Sequence, residues 1–265
     1  MMYNLVFAAG HGGRDTGAIG VGGIREKDVN LVTTLAARDC LEEEFEGHNI
    51  IMTRTTDVFV TLPEQRKIAH NVNADGFIEV HYNAATPTGH GFETFTLRAP
   101  DDRVFPITRV MQRKVHNAVM DYVGPLGLAD RGMKQGRYYH MVGTNAPCLL
   151  VECAFLTSTH DYEIVRTKQV QQNIGRAIAY GVAEAFKLPR KQQAPAPVPP
   201  DVPPISSDFE IIRPVYIYVE GIQTNVHAWL TKYEGKYKSV GMLVELAEAL
   251  GYKIEGKGDR INLWK

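Results

Sequence analysis

The sequence has no surplus of basic charge. Its 29 Lys and Arg stand against 30 Asp and Glu, for a formal net charge of −1 over 265 residues. Nucleic-acid binders normally carry a basic domain or stripe, so nucleic acid is not an expected partner. No apolar stretch approaches the ~20 residues that cross a bilayer, which argues against membrane insertion. Cysteine is scarce: Cys40, Cys148 and Cys153 form an odd set with no CxxC or Cys/His zinc spacing. Buried, reduced thiols are the expectation. A basic leader is missing too. After "MMYN" the apolar segment Leu5–Ala9 runs straight into a glycine loop, so it reads as a core strand rather than a cleaved signal. The corresponding expectation is cytoplasmic accumulation.

Nucleotide signatures are also lacking. The loop "GHGGRDTGAIGVGG" at 10–23 has Asp15 where a dinucleotide turn needs its third glycine, and the chain has no GK[ST]. A phosphate cradle is therefore excluded on spacing. The glycines are expected instead to permit unusual backbone angles as the chain wraps from His11 round to Glu26, with a merely flexible surface loop as the alternative.

What is present divides the chain. "LPRKQQAPAPVPPDVPPISSD" at 188–208 is proline-rich and poor in large apolar residues, and is expected to be a semi-rigid spacer. It separates residues 1–187 from a small module at 209–265. In the first body, strand-like runs at 4–10, 49–54, 76–83, 91–97 and 147–155 alternate with helical patterns at 26–45, 62–73, 103–123 and 168–186. In the first of these helices Val29, Val32, Leu35, Ala36 and Cys40 are expected to line one side. The alternation predicts an α/β fold with a twisted, mostly parallel sheet flanked by helices. Ligands in such sheets sit beyond the carboxyl ends of the strands.

Four chemically capable residues fall there. His11 follows the first strand, Glu26 opens the first helix, His81 ends the third strand, and Glu152 lies late in "PCLLVECAF". Two histidines and one carboxylate make a three-ligand zinc set with the fourth position open, as catalytic zinc requires. A further glutamate that binds no metal can take the proton of a water. Glu152 would bury a charge in an apolar strand, costly unless paired. Strand alternation puts Glu79, His81 and Asn83 on one face, which marks a site on a presumed core strand.

At these residues the sequence resembles zinc-dependent N-acetylmuramoyl-L-alanine amidases of the amidase-3 family. The likeness runs through "GHGGRDTGAIG", "EKD" at 26–28, "TRTTD" at 53–57, "LPEQRKIAHNVNADGFIEVHYNA" at 62–84, "GLADRGMK" at 127–134 and "PCLLVECAFLTSTHD" at 147–161. The resemblance implies zinc held by His11, Glu26 and His81, with Glu152 as the catalytic glutamate. It implies peptidoglycan as substrate, cleaved at the amide between N-acetylmuramic acid and L-alanine of the stem peptide. Asn83, and less directly Arg54, Arg131 and Lys134, are implied substrate contacts, the last three with a structural role as the alternative. The sequence has "EVHYN" where many members have "SIHAN". Glu79 is expected either to orient His81 or to pair with a cation lower in the sheet. Glu93 is open between supporting the site and lying on the surface, and His90 reads as a solvated loop residue.

The module at 209–265 shows strand-like runs around one amphipathic helix at about 239–250, stopped by Gly251. This small α+β pattern weakly resembles the small domain at the N-terminus of some copper amine oxidases; His227 is alone, so no copper site is implied. Tyr216, Tyr218, Trp229, Tyr233, Tyr237 and Trp264 can stack on sugar faces or fill a small core. Cell-wall attachment is the expected role, with dimerisation as its competitor. For the whole chain the expectation is a phage endolysin. The alternatives are a sporulation or mother-cell lytic amidase, a zinc peptidase of the stem peptide, and a non-catalytic wall-binding protein.

Overall fold

The computed structural model describes residues 2–85, 89–98 and 105–191, together with the backbone of the strands at 210–219, 222–233, 236–239, 253–257 and 260–264. In chain order the first body comprises β1 (Tyr3–Ala9), α1 (Glu26–Glu44), β2 (His48–Met52), α2 (Leu62–Asn71), β3 (Gly76–Asn83), β4 (Phe92–Leu97) and α3 (Pro106–Val123). Then follow β5 (Asp130–Gly136), α4 (Tyr139–Gly143), β6 (Cys148–Phe155), α5 (Thr159–Val165) and α6 (Lys168–Phe186). The sheet order is β2-β1-β3-β6-β4-β5. All neighbours are parallel except β6 and β4.

Local chemistry sets the element ends. Thr61 and Glu64 form a reciprocal capping box at the start of α2. Pro106 takes the first position of α3, where its missing N–H removes a donor that would have no helical partner. At α1 no side chain caps the helix. Instead the returning glycine loop presents the carbonyls of Ala18 and Thr16, which accept the N–H groups of Glu26 and Lys27. The loop thereby satisfies two orphan donors of the helix it leads into.

Strand alternation sorts the core into two faces. Leu5, Phe7, Ile78, Val80, Leu149 and Val151 pack on one face against α1, α3 and α6. Val6, Ala8, Phe77, Cys148 and Leu150 pack on the other with Ala69 of α2 and Met141 of α4. The side of α1 that turns inward is offset from the expected one. Val29, Thr33, Thr34, Ala37, Cys40 and Leu41 are buried, whereas Val32, Leu35 and Ala36 are half-buried. Two threonines are tolerated there because Thr33 shares a hydrogen bond with Tyr82 and Thr34 donates to the Asn30 carbonyl. All three cysteines are buried and free.

The first body reaches beyond residue 187. Leu188 is buried, the Glu46 N–H donates to the Pro189 carbonyl, and the Lys191 N–H donates to that of Glu44. Arg190 lies over the Phe45 and Tyr180 rings. The spacer expected at 188–208 therefore starts later, and its remainder from 192 lies outside the described residues. No described helix is long and apolar enough to cross a membrane. The second unit contains a sheet of five strands: β7 (Glu210–Val219), β8 (Ile222–Tyr233), β9 (Lys236–Ser239), β10 (Lys253–Lys257) and β11 (Arg260–Trp264). Their order is β10-β11-β7-β8-β9. The helix expected at 239–250 lies outside the described residues apart from Ser239, which ends β9.

Candidate functional site

His11 stands two residues past the end of β1 with φ of 61°, a left-handed conformation that costs energy in a non-glycine residue. The site requires that placement. His11 Nε2 lies 3.1 Å from Glu26 Oε2, and its Nδ1 lies 2.9 Å from Asp15 Oδ2. From β3, His81 Nδ1 approaches Glu26 Oε1 to 2.8 Å. The two imidazoles meet edge to face at 5.1 Å. Two loop glycines make room for this. A Cβ on Gly10 would fall 2.2–2.6 Å from ring atoms of His81. One on Gly17, at φ +60°, would fall 2.6 Å from Glu26 Oε2.

The loop is pinned from below. Arg54 is buried and donates to the carbonyls of Ala9, Gly10, Lys27 and Thr56. Its guanidinium is committed to backbone, so the expected substrate contact is replaced by a structural task. The Lys27 ammonium donates to the Gly13 carbonyl and to Asp57, and Asp57 accepts the Gly13 N–H at 2.7 Å. The "EKD" and "TRTTD" blocks thus clamp the glycine loop between them.

Burial opposes charge on Glu26, but hydrogen bonds from His11 and His81 outweigh it and hold its carboxyl well below the usual range. Burial likewise opposes charge on both imidazoles, and Glu26 reverses that, raising both. His11, Glu26 and His81 offer three ligand atoms within 4.8 Å of one another. Ligand atoms at ~2.0 Å from a tetrahedral zinc stand about 3.3 Å apart, and each imidazole nitrogen lies near that distance from one Glu26 oxygen, 2.8 Å from Oε1 for His81 and 3.1 Å from Oε2 for His11. The two-nitrogen, one-oxygen donor set suits the same ion. Asp15 supplies the outer hydrogen bond that fixes which nitrogen of His11 faces inward. The residues fit a zinc ion. Sequence reasoning passed over Asp15, whose only signal is its position four residues after His11.

Glu152 on β6 is the register partner of His81 on β3. Its Oε2 is buried and meets no hydrogen-bond partner among the described residues. Burial, reinforced by Glu26 and Glu93 against the opposing pull of His81, lifts its carboxyl to about 7.

Glu93 is not on the surface. It is buried at the start of β4 and paired in register with Glu152 on the other side of β6. Asn83 Nδ2 donates to its Oε1 at 2.8 Å, while Arg131 Nε at 2.8 Å and the Lys134 ammonium converge on Oε2. Asn83, Arg131 and Lys134 are thereby gathered beside Glu152. His90 is exposed, and its carbonyl accepts from Arg131.

Glu79 contacts the imidazole of His140 on α4, the lower-sheet alternative rather than a brace for His81. That partner is a buried imidazole rather than a lysine or arginine. His140 is stacked on Phe77, and burial depresses it to about 4. Sequence reasoning also missed Tyr138. It is 41% exposed, packs against Phe95, and lies close enough for Glu152 and Glu93 to raise its hydroxyl, after burial itself.

Residues 5–184 match the family described as N-acetylmuramoyl-L-alanine amidase. The sporulation-specific N-acetylmuramoyl-L-alanine amidase of Bacillus subtilis (strain 168) is 34% identical over 187 residues, covering 71% of this chain and 69% of that protein. The endolysin of Bacillus phage SPP1 is 32% identical over 195 residues, covering 74% and 70%. Among solved structures, amidase AmiC2 of Nostoc punctiforme superposes with a TM-score of 0.63 at 28% identity, covering 70% of this chain and 97% of that one. With a match that spans most of the first body, this chain belongs to the N-acetylmuramoyl-L-alanine amidase family and is a peptidoglycan hydrolase.

Proposed function

We propose that the first body is a zinc-dependent amidase in which His11, Glu26 and His81 hold the ion and Glu152 moves the proton. The observation that carries this reading is the buried, unpartnered Oε2 of Glu152 one strand from the His–Glu–His cluster. Zinc, when bound, polarises the scissile carbonyl and makes water a better acid. Glu152 takes the proton of the attacking water and returns it to the departing alanine nitrogen, a task for which a carboxyl titrating near 7 is suited. Asp15 holds the outer nitrogen of His11, and Glu26 is kept anionic as a ligand must be.

The test is loss of turbidity of purified walls with and without chelator, with the products identified. Free N-terminal alanine on an intact stem peptide is expected. A new terminus inside the peptide would replace the amidase with a peptidase, and lysis persisting after complete zinc removal would sink the mechanism.

For the biological setting, likeness to a phage endolysin and a second unit on a proline-rich connection support an enzyme that waits inside the cell and acts on the wall after release. Cells expressing the intact chain then lyse only once the membrane is opened with chloroform; lysis without it would defeat this reading. The second unit is assigned to wall attachment. Trp229→Ala in the full chain should reduce sedimentation with walls. Unchanged sedimentation and a lost dimer by ultracentrifugation would reassign the unit to dimerisation.

A further inference from the structure

We propose that Arg131 and Lys134, aimed by the buried carboxylate of Glu93, form a subsite for a free carboxylate on the stem-peptide residue that follows the scissile alanine. This rests on the amidase reading above and extends it to substrate choice.

The argument begins with charge. A buried carboxylate needs a counter-charge, and one cation would suffice for Glu93. It has two, on the same oxygen, plus Asn83 on the other. The cluster carries one net positive charge, and its two cations are not sealed in. The side chains of Arg131 and Lys134 are 33% and 36% exposed, against 4% for Glu93. Arg131 is also fixed in orientation: its guanidinium lies 4.7 Å from the Phe155 ring centre, and its NH1 donates to the His90 carbonyl. A fixed guanidinium beside an ammonium, both part-exposed and bound to one carboxylate oxygen, can recognise a second carboxylate.

Position supplies the direction. The departing nitrogen must lie within hydrogen-bond reach of Glu152 to receive its proton, while the carbonyl it leaves lies toward His11 and His81. The peptide therefore runs outward from Glu152, and the next strands in that direction are β4 and β5. Strand spacing of ~4.8 Å puts β5 about 10 Å from β6, and both cations reach back toward β4. A residue spans roughly 3.5 Å of extended chain, so a carboxylate about two residues along arrives at the cation pair. Glu93 acts through these cations and is a positioning residue.

The experiment compares two N-acetylmuramoyl peptides, identical except that the second residue carries a free carboxyl or a carboxamide. The intact chain loaded with zinc is expected to prefer the free carboxyl by about tenfold or more in kcat/KM, mainly through KM. Lys134→Gln leaves Arg131 to pair Glu93 and should shrink that ratio several-fold, whereas Lys134→Arg should preserve it. A purely structural role would lower both substrates equally and leave the ratio unmoved. In the wild-type protein, which needs no variant to fold, added salt should raise KM for the carboxylate peptide more than for the carboxamide. Equal kcat/KM for the two peptides, or a ratio unchanged in Lys134→Gln, would overturn the subsite. Failure to hydrolyse either peptide while walls are still cleaved at alanine would overturn it too, since recognition would then lie elsewhere. Failure on both peptides and walls would overturn the amidase reading itself.

Discussion

On the β1–β3 side of the candidate site, Glu26 lies between two imidazoles and accepts the Ala18 N–H, so its charge is met on every side. On the β6 side, Glu152 has a buried oxygen without a hydrogen-bond partner among the described residues and a second carboxylate, Glu93, on the adjacent strand. The same functional group is thus tuned in opposite directions one strand apart. The first side holds a fixed negative charge among candidate metal ligands. The second holds a carboxyl lifted toward neutral pH, which suits it to the proton transfer proposed above. Two titratable groups pushed apart by their surroundings are what acid–base work at neutral pH requires.

The comparison is broken most severely at Glu152. Glu152→Gln keeps the shape and removes the proton acceptor. It should lower kcat by about 10³-fold, within the range for lost general acid–base catalysis. Bound zinc measured by atomic absorption should stay near that of the wild type. Loss of zinc in that variant would move Glu152 to the metal side.

On the other side, Asp15→Asn leaves all three ligands in place and weakens the hydrogen bond that orients His11. A 10- to 100-fold drop in zinc affinity is expected from a chelator competition titration. An unchanged affinity would show that the ring is held by packing alone. Gly10→Ala attacks His81 sterically, because the new methyl would overlap the ring. It should destabilise the protein by roughly 1–3 kcal/mol by urea titration and weaken zinc binding as well.

The smallest effect is a stability sign. In chelator-treated protein the Glu152 carboxyl titrates at about 7 against an ordinary 4.5. Below the lower value both folded and unfolded chains hold the proton, and no difference arises. As pH rises from there to about 7, the unfolded chain releases its proton first, so the folded state loses stability. Glu152→Gln removes that loss. It should raise Tm by a few degrees at pH 8, worth at most ~3 kcal/mol, and leave Tm unchanged near pH 4. A rise of equal size at both pH values would mean that packing rather than ionisation was relieved. Glu26 has the opposite sign: its low-lying carboxyl adds stability that disappears as pH falls below the usual carboxylate range.

Much of the fold was legible because the signals are local. Every long helix and five of the six strands of the first sheet announced themselves by apolar period. β5 did not. "DRGMKQG" has two glycines, three charges and no alternation, and it is a strand because it pairs with β4 at the sheet edge. α4 and α5, of five and seven residues, are too short for a helical period to register. The parallel-sheet rule led to His11, Glu26, His81 and Glu152, since all lie past or near carboxyl ends of parallel strands or at the helix that follows. It could not lead to Glu93, which sits at the beginning of its strand. Only because β4 runs antiparallel to β6 does that beginning reach the site edge.

The sequence by itself determined the α/β layering, and it pointed to a second unit and to His11, Glu26, His81 and Glu152 as candidate site residues. These follow from residue type and short-range spacing. Tertiary structure alone decided that Arg54 serves the backbone, that Glu79 turns to the buried His140, and that Glu93 gathers Asn83, Arg131 and Lys134. Each depends on which strands become neighbours and in which direction they run. The energy of a buried charge is set by the groups within a few ångströms of it, and those groups come from far along the chain.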